Sequence, residues 1–305
     1  MTGRARPARG RALRYGAGTT AAVLLICTLI AGRSAWTLST VGARVSGATA
    51  RTHGEVIHSA GHGVELRWSA PGIRRTDHVE LAVPVPPAGT RTEVAYDPRE
   101  PATVLLPGST ELAAVDRAAS GVAFSGLVAA MVLLTLGWQV TSRRLLRGRA
   151  AHAVPARRVR VQSGLLTRSW LELDSIQRWI PVHFDPVLVT LPAPASVQVH
   201  GDPRHHRLVA AEVDGVWLYP SGAVRASEPA GRRIDSPALP DADALPGTGW
   251  WRQLRADAAL ITPAPVVGLL WVFLDGGGIP TWACATALAA ALALGWAALR
   301  GSDPT

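Results

Sequence analysis

Four uncharged apolar runs constrain this chain of 305 residues more than any other feature of its sequence. They cover residues 16–32, 118–141, 258–274 and 279–299, and none of them contains Asp, Glu, Arg, Lys or His. Runs of about 17 to 25 apolar residues are long enough to cross the hydrocarbon core of a bilayer as helices. The sequence therefore predicts a membrane protein with four transmembrane helices.

The segments between these runs are polar and rich in short strand patterns. We expect a membrane α+β fold, in which two small antiparallel β modules are attached to the helices. One module lies within residues 33–117 and is predicted to be extracytoplasmic, whereas the other lies within residues 142–227 and is predicted to be cytoplasmic. Residues 228–257 are rich in Pro, Ala and Asp and are predicted to be a linker. Residues 1–15 and 300–305 are expected to be cytoplasmic ends.

The third and fourth runs have features that affect how they would pack. Pro263 and Pro265 are expected to kink the third helix or to delay its start, because proline lacks a backbone N–H donor. Only residues 275–278 separate the two runs, so the helices should form a tight hairpin. In the fourth run small residues recur every four positions, which would allow close approach of another helix. These residues are Ala283, Ala287, Ala291 and Gly295.

The basic residues indicate how the helices are oriented. All 31 basic residues are Arg, and residues 1–15 carry five of them without an acid. A second acid-free cluster follows the second run and begins with Arg143, Arg144, Arg147 and Arg149. Because basic residues near helix ends stay in the cytoplasm, we expect a multi-pass protein of the plasma membrane with both termini cytoplasmic. A cleaved signal peptide is the alternative for the first run, but Arg33 interrupts its cleavage pattern, which favours an uncleaved anchor.

The same arginines suggest partners. The lipid bilayer is one, and the cluster at Arg143, Arg144, Arg147 and Arg149 could contact anionic headgroups, although setting the topology alone is the favoured interpretation. Nucleic acid is not expected, because no recognition motif or aromatic stacking platform accompanies the arginines. A protein partner is expected but cannot be identified from the sequence.

Residues 51–106 alternate between apolar and polar positions in short stretches separated by Gly and Pro, which predicts a small antiparallel barrel or sandwich. The stretch ends in Tyr96, Asp97, Pro98 and Pro101, just before the second apolar run. With the preceding anchor and the strand ending in Trp68, this order resembles an actinobacterial-type family of bacterial membrane proteins of unknown function, which carries a Tyr-Asp-Pro-x-x-Pro element. The resemblance covers about residues 16–141 and implies architecture rather than an activity. From the residues alone, Asp97 is expected to accept backbone hydrogen bonds in a turn.

Residues 157–227 show a second set of strand patterns. Asp214 and Gly215 stand between Val213 and Val216, which predicts a two-residue hairpin with a type I′ turn. We expect the core or the rim of this second β module to contain Trp170, Trp179 and Trp217.

Two groups of histidines are candidates for a metal or anion site. The most polar stretch contains His200, Asp202, His205 and His206, and a second group in the first β module comprises His53, His58 and His62. A solvated hairpin loop and scattered exposed histidines are the favoured interpretations of these two groups. The sequence contains no motif for cofactor binding or for catalysis, so we expect no bound cofactor and no catalytic residues.

These observations predict a non-catalytic protein of the cell envelope that serves in interaction, scaffolding or sensing across the membrane. Two alternatives remain open. One is a membrane-bound metalloprotein or enzyme that uses the loop histidines. The other is a passive helix-bundle transporter, which does not need charged residues within the bilayer.

Overall fold

The computed structural model describes residues 11–102, 104–234 and 250–305. Within these residues the chain forms five α-helices and twelve β-strands, which is the mixed class expected from the sequence. The chain divides into two compact units. One unit is Cys27–Ala129, and the other contains the residues before and after that range. Each unit has an antiparallel sheet with its own apolar core.

Three helices in the described part of the chain are long and apolar enough to cross a membrane. The first is Arg14–Gly47, which forms most of α1 (Arg11–Gly47). The other two are α2 (Thr110–Leu146) and α5 (Ile279–Arg300). Their exposed apolar side chains, such as Leu134 and Trp138 of α2, are the surface expected for contact with lipid.

The third apolar run forms a broken helix. Helix α3 (Trp250–Asp257) continues into a 3-10 helix (Ala258–Ile261), and α4 (Ala264–Asp275) follows at an angle of 48°. The break lies at Thr262 and Pro263, so the expected kink is present. The count of four spans depends on treating this bent pair as one crossing.

Helices α1 and α2 are longer than the apolar runs that predicted them. Each has 37 residues, which corresponds to about 55 Å and exceeds the roughly 30 Å of a bilayer's hydrocarbon core. Residues 33–47 therefore belong to α1, and the first β module begins only at Ala50. The added turns contain no proline, and Thr37 and Thr40 bond to the carbonyls of Arg33 and Trp36 within the helix.

The unit Cys27–Ala129 contains a five-stranded sheet, which we call the small sheet. Its strands are β1 (Ala50–Ala60), β2 (Gly63–Ala70), β3 (Ile73–Glu80), β4 (Arg91–Tyr96) and β5 (Val104–Leu105), in the order β3-β2-β1-β4-β5. Val64, Leu66 and Trp68 alternate with exposed residues along β2 and are buried in the core. The alternation read from the sequence therefore defines the inner face of this sheet.

The other unit contains the large sheet. Its strands are β6 (Ala151–Ser163), β7 (Leu166–Leu173), β8 (Arg178–Val182), β9 (Ala195–His200), β10 (Ala210–Val213), β11 (Val216–Leu218) and β12 (Arg232–Ile234). The order is β11-β10-β9-β6-β7-β8, and β12 pairs with β6. The long strand β6 holds the sheet together, because its first half pairs with β9 and its second half with β7.

Backbone hydrogen bonds also join β8 to the residues that follow β11. The amide of His183 donates to the carbonyl of Tyr219 at 3.0 Å, and the amide of Ser221 donates to that of Pro181 at 2.9 Å. The β10–β11 turn has positive φ at both central positions, 49° at Asp214 and 77° at Gly215, as a type I′ hairpin requires.

Two segments differ from the sequence analysis. Residues 232–234 and 250–257 were assigned to a linker, but they form β12 and α3, while residues 235–249 lie outside the described part. Residues 301–305 were predicted to be a tail, yet they pack against the large sheet. The amide of Asp303 donates to the carbonyl of Thr167 at 2.9 Å, and Ser302 is buried. Polar partners on the sheet, which the sequence pattern does not reveal, explain this packing.

The α4–α5 hairpin packs closely at Gly268 of α4. A Cβ atom built on Gly268 would clash with Thr286 and would lie 3.0 Å from the carbonyl oxygen of Trp282. On the predicted face, Ala283 and Ala287 are exposed and only Ala291 is buried. The small-residue face is therefore not the contact with α4.

Candidate functional site

A cavity of about 380 Å³ lies beside the β6–β7 hairpin of the large sheet. Residues from β7, from the loop after β11, from the 3-10 helix and from the end of α5 form its wall. The side chains that line it include Leu165, Arg168, Trp170, Arg225, Leu260, Trp296 and Arg300. This volume is within the range of about 300 to 1,000 Å³ that is usual for small-ligand sites.

Three arginines give the cavity a positive charge. Arg168 is half-buried, and Arg225 and Arg300 lie at the exposed rim. No carboxylate is among the described lining residues, and within the described part of the chain none of these arginines forms an ion pair. A cluster of like charges beside a partly buried surface is unfavourable unless an anion compensates it.

Hydrogen bonds fix the position of Arg168. Its Nε donates to the carbonyl of Arg300 at 2.7 Å, and Nη2 donates to Ser221 Oγ at 3.2 Å. Burial lowers the pKa of Arg168 to about 10, and the charges of Arg300 and Arg225 add to this effect. The guanidinium is therefore held without a counter-charge, and a bound anion would restore its pKa.

Two tryptophans support the arginines. The guanidinium carbons of Arg168 and Arg225 lie 4.9 and 5.6 Å from the ring centroid of Trp170, and that of Arg300 lies 4.3 Å from Trp296. These distances suit cation–π contacts, which orient the planar groups. Trp170 is buried, and its Nε1 has no hydrogen-bond partner among the described residues. The aromatic rings thus replace carboxylates as the partners of the arginines.

One side of the cavity is apolar. Leu165 is 57% exposed at the tip of the β6–β7 hairpin, and Trp296 is 52% exposed on α5. Leu260 of the 3-10 helix completes this side. The cavity therefore combines a cationic region with an exposed apolar region, which is an arrangement for binding. His, Cys, Asp and Glu are missing from its described lining.

A buried carboxylate holds the segment after α5 against the sheet and so positions Arg300. Asp303 accepts hydrogen bonds from Arg158 Nη2 at 2.7 Å and from Ser169 Oγ at 2.5 Å. Burial alone would raise the pKa of Asp303, but the Arg158 charge and the hydrogen bonds from Ser169 and Thr305 outweigh it, so the pKa is lowered.

A second buried carboxylate, that of Asp257 on α3, extends this network. Asp257 accepts from Tyr15 Oη at 2.9 Å, from Gln253 Nε2 at 3.1 Å and from Ser302 Oγ. Residues of α1, α3 and the segment after α5 are thus joined around a single carboxylate. Together, Asp303 and Asp257 fix the end of α5 at the edge of the cavity.

The histidine loop predicted as a weak polar site does not converge on one point. His200 Nε2 lies 3.1 Å from Glu212 Oε2. The ring centroid of His200 lies 4.1 Å from that of Trp217, and the two ring planes are tilted by 30°. In the loop, Asp202 accepts from the backbone of Arg204 and lies 2.6 Å from His205 Nδ1, which lowers the Asp202 pKa, with the His205 hydrogen bond as the main cause. His206 accepts from the amide of Asp202 at 2.9 Å. Throughout the described residues, which include His53, His58 and His62, no group of three or more His, Cys, Asp or Glu could hold a metal.

The arginines at the end of α2 mostly contact the large sheet. Arg143 Nη2 lies 2.5 Å from His183 Nε2, Arg147 Nε donates to Tyr219 Oη at 3.0 Å, and Arg149 Nη1 donates to the carbonyl of Leu208 at 2.6 Å. Arg144 is exposed. Burial, together with the Arg143 and Arg168 charges, lowers the pKa of His183 to about 3. At neutral pH His183 is therefore uncharged and can accept the Arg143 hydrogen bond.

The Tyr-Asp-Pro-x-x-Pro element closes the small sheet. Tyr96 lies 5.0 Å from Trp68 between ring centroids, and Asp97 Oδ1 accepts from the amide of Arg99 at 2.8 Å. The exposed Pro98 lies inside this turn, and Pro101 follows in the next one. A Cβ atom on Gly47 would lie 2.7 Å from Asp97 Oδ2, so the end of α1 approaches the same turn closely.

Sequence reasoning did not identify the cavity. Trp170 was expected in the core or at the rim of the second β module, and Arg300 belonged only to the residues that follow the fourth run. The three arginines are far apart in the sequence, so no local spacing connects them. The only local signals are Arg168 two residues before Trp170 on one strand and Arg300 four residues after Trp296 on one helix.

Comparisons with family models, with curated proteins and with solved structures find no match to this chain. The resemblance to a bacterial membrane protein family therefore stays a prediction, and the cavity is interpreted from its own residues.

Proposed function

We propose that this chain is a multi-pass membrane protein that acts by binding rather than by catalysis, and that the cavity of the large sheet binds an anionic ligand. The observation that carries the proposal is the set Arg168, Arg225 and Arg300, which surrounds one cavity without a carboxylate partner in the described chain. Three guanidiniums provide charge-assisted hydrogen bonds in the planar geometry that carboxylates and phosphates accept.

An interaction or sensing role fits this binding site. The cavity wall combines residues of the large sheet with residues of α5 and the 3-10 helix, so an occupant would contact a β domain and a helix of spanning length together. A ligand that binds one arrangement of these elements better than another would shift the balance between them. We therefore propose that anion binding is the signal that this protein detects or passes to a protein partner.

Thermal unfolding of the full chain in neutral detergent tests the binding proposal. Pyrophosphate or short-chain phosphatidic acid should stabilise the wild type, because a ligand that binds only the folded state raises its stability. The double variant Arg225→Gln/Arg300→Gln should lose most of this stabilisation, whereas Arg255→Gln, on the exposed surface of α3, should retain it. If neither anion stabilises the wild type more than the double variant, the proposal is wrong.

We also propose a topology in which the small sheet is extracytoplasmic and the large sheet cytoplasmic. The distribution of arginines supports it, since the acid-free clusters lie at residues 1–15 and at the end of α2, beginning with Arg143.

Cysteine labelling in intact cells tests this topology. Single cysteines would replace the exposed residues Ala88, His205 and Gly278 in a background without Cys27 and Cys284. Labels that do not cross the membrane should react at positions 88 and 278 and not at position 205. Reaction at position 205 from outside would contradict the topology and would leave the binding proposal unaffected.

A further inference from the structure

We infer that the ligand of this cavity is an anionic lipid with a phosphate headgroup, taken from the adjacent bilayer. The inference rests on the proposed anion-binding function and adds the class of ligand. It follows from the two chemically different sides of the cavity, a cationic one and an apolar one.

The cationic side suits a phosphate. Arg168 is fixed by hydrogen bonds to Arg300 and Ser221, so a donor set is already in place before the ligand arrives. The guanidinium carbon of Arg225 lies 5.6 Å from the ring centroid of Trp170, and that of Arg300 lies 4.3 Å from the ring centroid of Trp296. Both arginines are exposed enough to reach a ligand. Three positive charges favour a phosphate monoester, which carries nearly two negative charges at neutral pH, over a diester with one.

The apolar side suits an acyl chain. Leu165, at the tip of the β6–β7 hairpin, is an exposed apolar side chain, and Leu166 beside it also lines the cavity. Leu260 and the exposed Trp296 belong to the broken helix and to α5, the elements long and apolar enough to enter a membrane. A tryptophan and an arginine at the end of such a helix are the residues expected at the level of lipid headgroups. A free anion in water would gain nothing from these apolar groups.

Binding of radiolabelled short-chain phosphatidic acid to the full chain in neutral detergent tests the inference. Glycerol 3-phosphate, which has the same headgroup without acyl chains, serves as the competitor, and phosphatidylcholine serves as the lipid without net charge. We expect phosphatidic acid to bind at least about a hundredfold more tightly than glycerol 3-phosphate, because each buried methylene contributes about 0.8 kcal/mol. Phosphatidylcholine should not compete.

Two variants separate the two sides of the cavity. Arg225→Gln should weaken phosphatidic acid binding about tenfold through loss of a charge-assisted hydrogen bond. Leu165→Gln should weaken phosphatidic acid and leave glycerol 3-phosphate unchanged. Both side chains are exposed, so the variants should fold, and Arg255→Gln controls for loss of a positive charge elsewhere. A further variant controls for competition by acidic residues of the chain itself. In it, Asp235, Asp241 and Asp243 are changed to Asn, so that these carboxylates cannot compete with the added anion for the arginines.

The outcomes distinguish the inference from the function on which it rests. Tight phosphatidic acid binding that depends on both Arg225 and Leu165 supports a lipid ligand. Equal binding of glycerol 3-phosphate and phosphatidic acid, with no effect of Leu165→Gln, overturns the lipid inference and leaves anion binding in place. If neither compound binds to the wild type or to the variant with Asn at positions 235, 241 and 243, both the lipid inference and the proposed anion binding are wrong.

Discussion

The small and large sheets are both antiparallel, and both have an apolar core, but they differ in how their charges are used. The small sheet belongs to a segment, residues 33–117, with nine Arg and nine acids, and its ion pair Arg51–Glu93 is exposed. The large sheet has buried ionic contacts, such as Arg158 with Asp303, and also a cluster of arginines without carboxylates. An exposed ion pair contributes little to stability, whereas a buried charge is costly unless it is paired. The proposed anion site belongs to the unit of the large sheet.

Among the variants that test this difference between the two sheets, removal of the buried carboxylate of Asp303 should lower the stability most. Asp303→Ala leaves Arg158 as an uncompensated charge at a site where both side chains are at most 7% exposed. We expect a loss of about 3–5 kcal/mol in the free energy of unfolding of the large-sheet domain. Denaturant titration in neutral detergent measures it.

Asp174→Ala is the matched control, because Asp174 is 57% exposed and lies 3.5 Å from Arg157. Its effect should stay below about 1 kcal/mol. If the two variants lose similar stability, the Asp303 contact is not the structural link described above.

A leucine truncated in either core should lower the stability by a similar amount, but each variant should destabilise only the structural unit that contains it. Leu66→Ala in the small sheet and Leu171→Ala in the large sheet each truncate a leucine with 0% exposure. Each should cost about 2–5 kcal/mol. Limited proteolysis with domain-specific fragment mapping would show which sheet opens. Only Leu171→Ala should reduce anion binding, and a similar loss with Leu66→Ala would contradict the assignment of function to the large sheet.

The pH should affect the large sheet through His183. The pKa of this buried histidine is lowered to about 3, so the folded state keeps it neutral, while the unfolded chain takes up a proton below about 6.5. Its contribution to stability is therefore complete above pH 6.5 and is lost as the pH falls toward 3, with a slope of at most about 1.4 kcal/mol per pH unit.

Unfolding between pH 7 and 4 measures this slope. His183→Gln should flatten it, although the variant will be less stable at pH 7 because the Arg143 contact changes. His58→Gln, an exposed histidine of the small sheet, should leave it unchanged. An unaltered slope in His183→Gln would assign the pH dependence to other groups.

The smallest effect is expected for the exposed pair of the small sheet. Arg51 and Glu93 lie 2.9 Å apart, but their side chains are 68% and 48% exposed. Glu93→Gln should change the stability by less than about 1 kcal/mol, and addition of salt should remove the difference. A loss comparable to that of Asp303→Ala would end the distinction between the two sheets.

Most strands of both sheets could be read from the sequence, whereas β12 and the links between elements could not. Val64, Leu66 and Trp68 alternate along β2, and Asp214 with Gly215 defines a hairpin, so local pattern was sufficient there. Helices α1 and α2 extend past their apolar runs because helical hydrogen bonding does not require apolar residues.

The cavity could not be read from the sequence for a different reason. Arg168, Arg225 and Arg300 come together only when β7, the loop after β11 and the end of α5 meet. The contact of Asp303 with Arg158, which holds that arrangement, spans 145 residues. Such long-range polar contacts have no periodicity, and only the folded chain reveals them.

The glycine of α4 has a consequence for sequence variation within this protein. Of the 12 residues in this helix, most are exposed and apolar, among them Leu269, Leu270, Phe273 and Leu274. Random mutagenesis with selection for folded protein should accept any apolar residue at these four positions. It should return only glycine at position 268, because the side chain of Thr286 occupies the space that a methyl group would need. In homologues of this chain, position 268 should therefore stay constant, whereas the four exposed positions should vary among apolar residues.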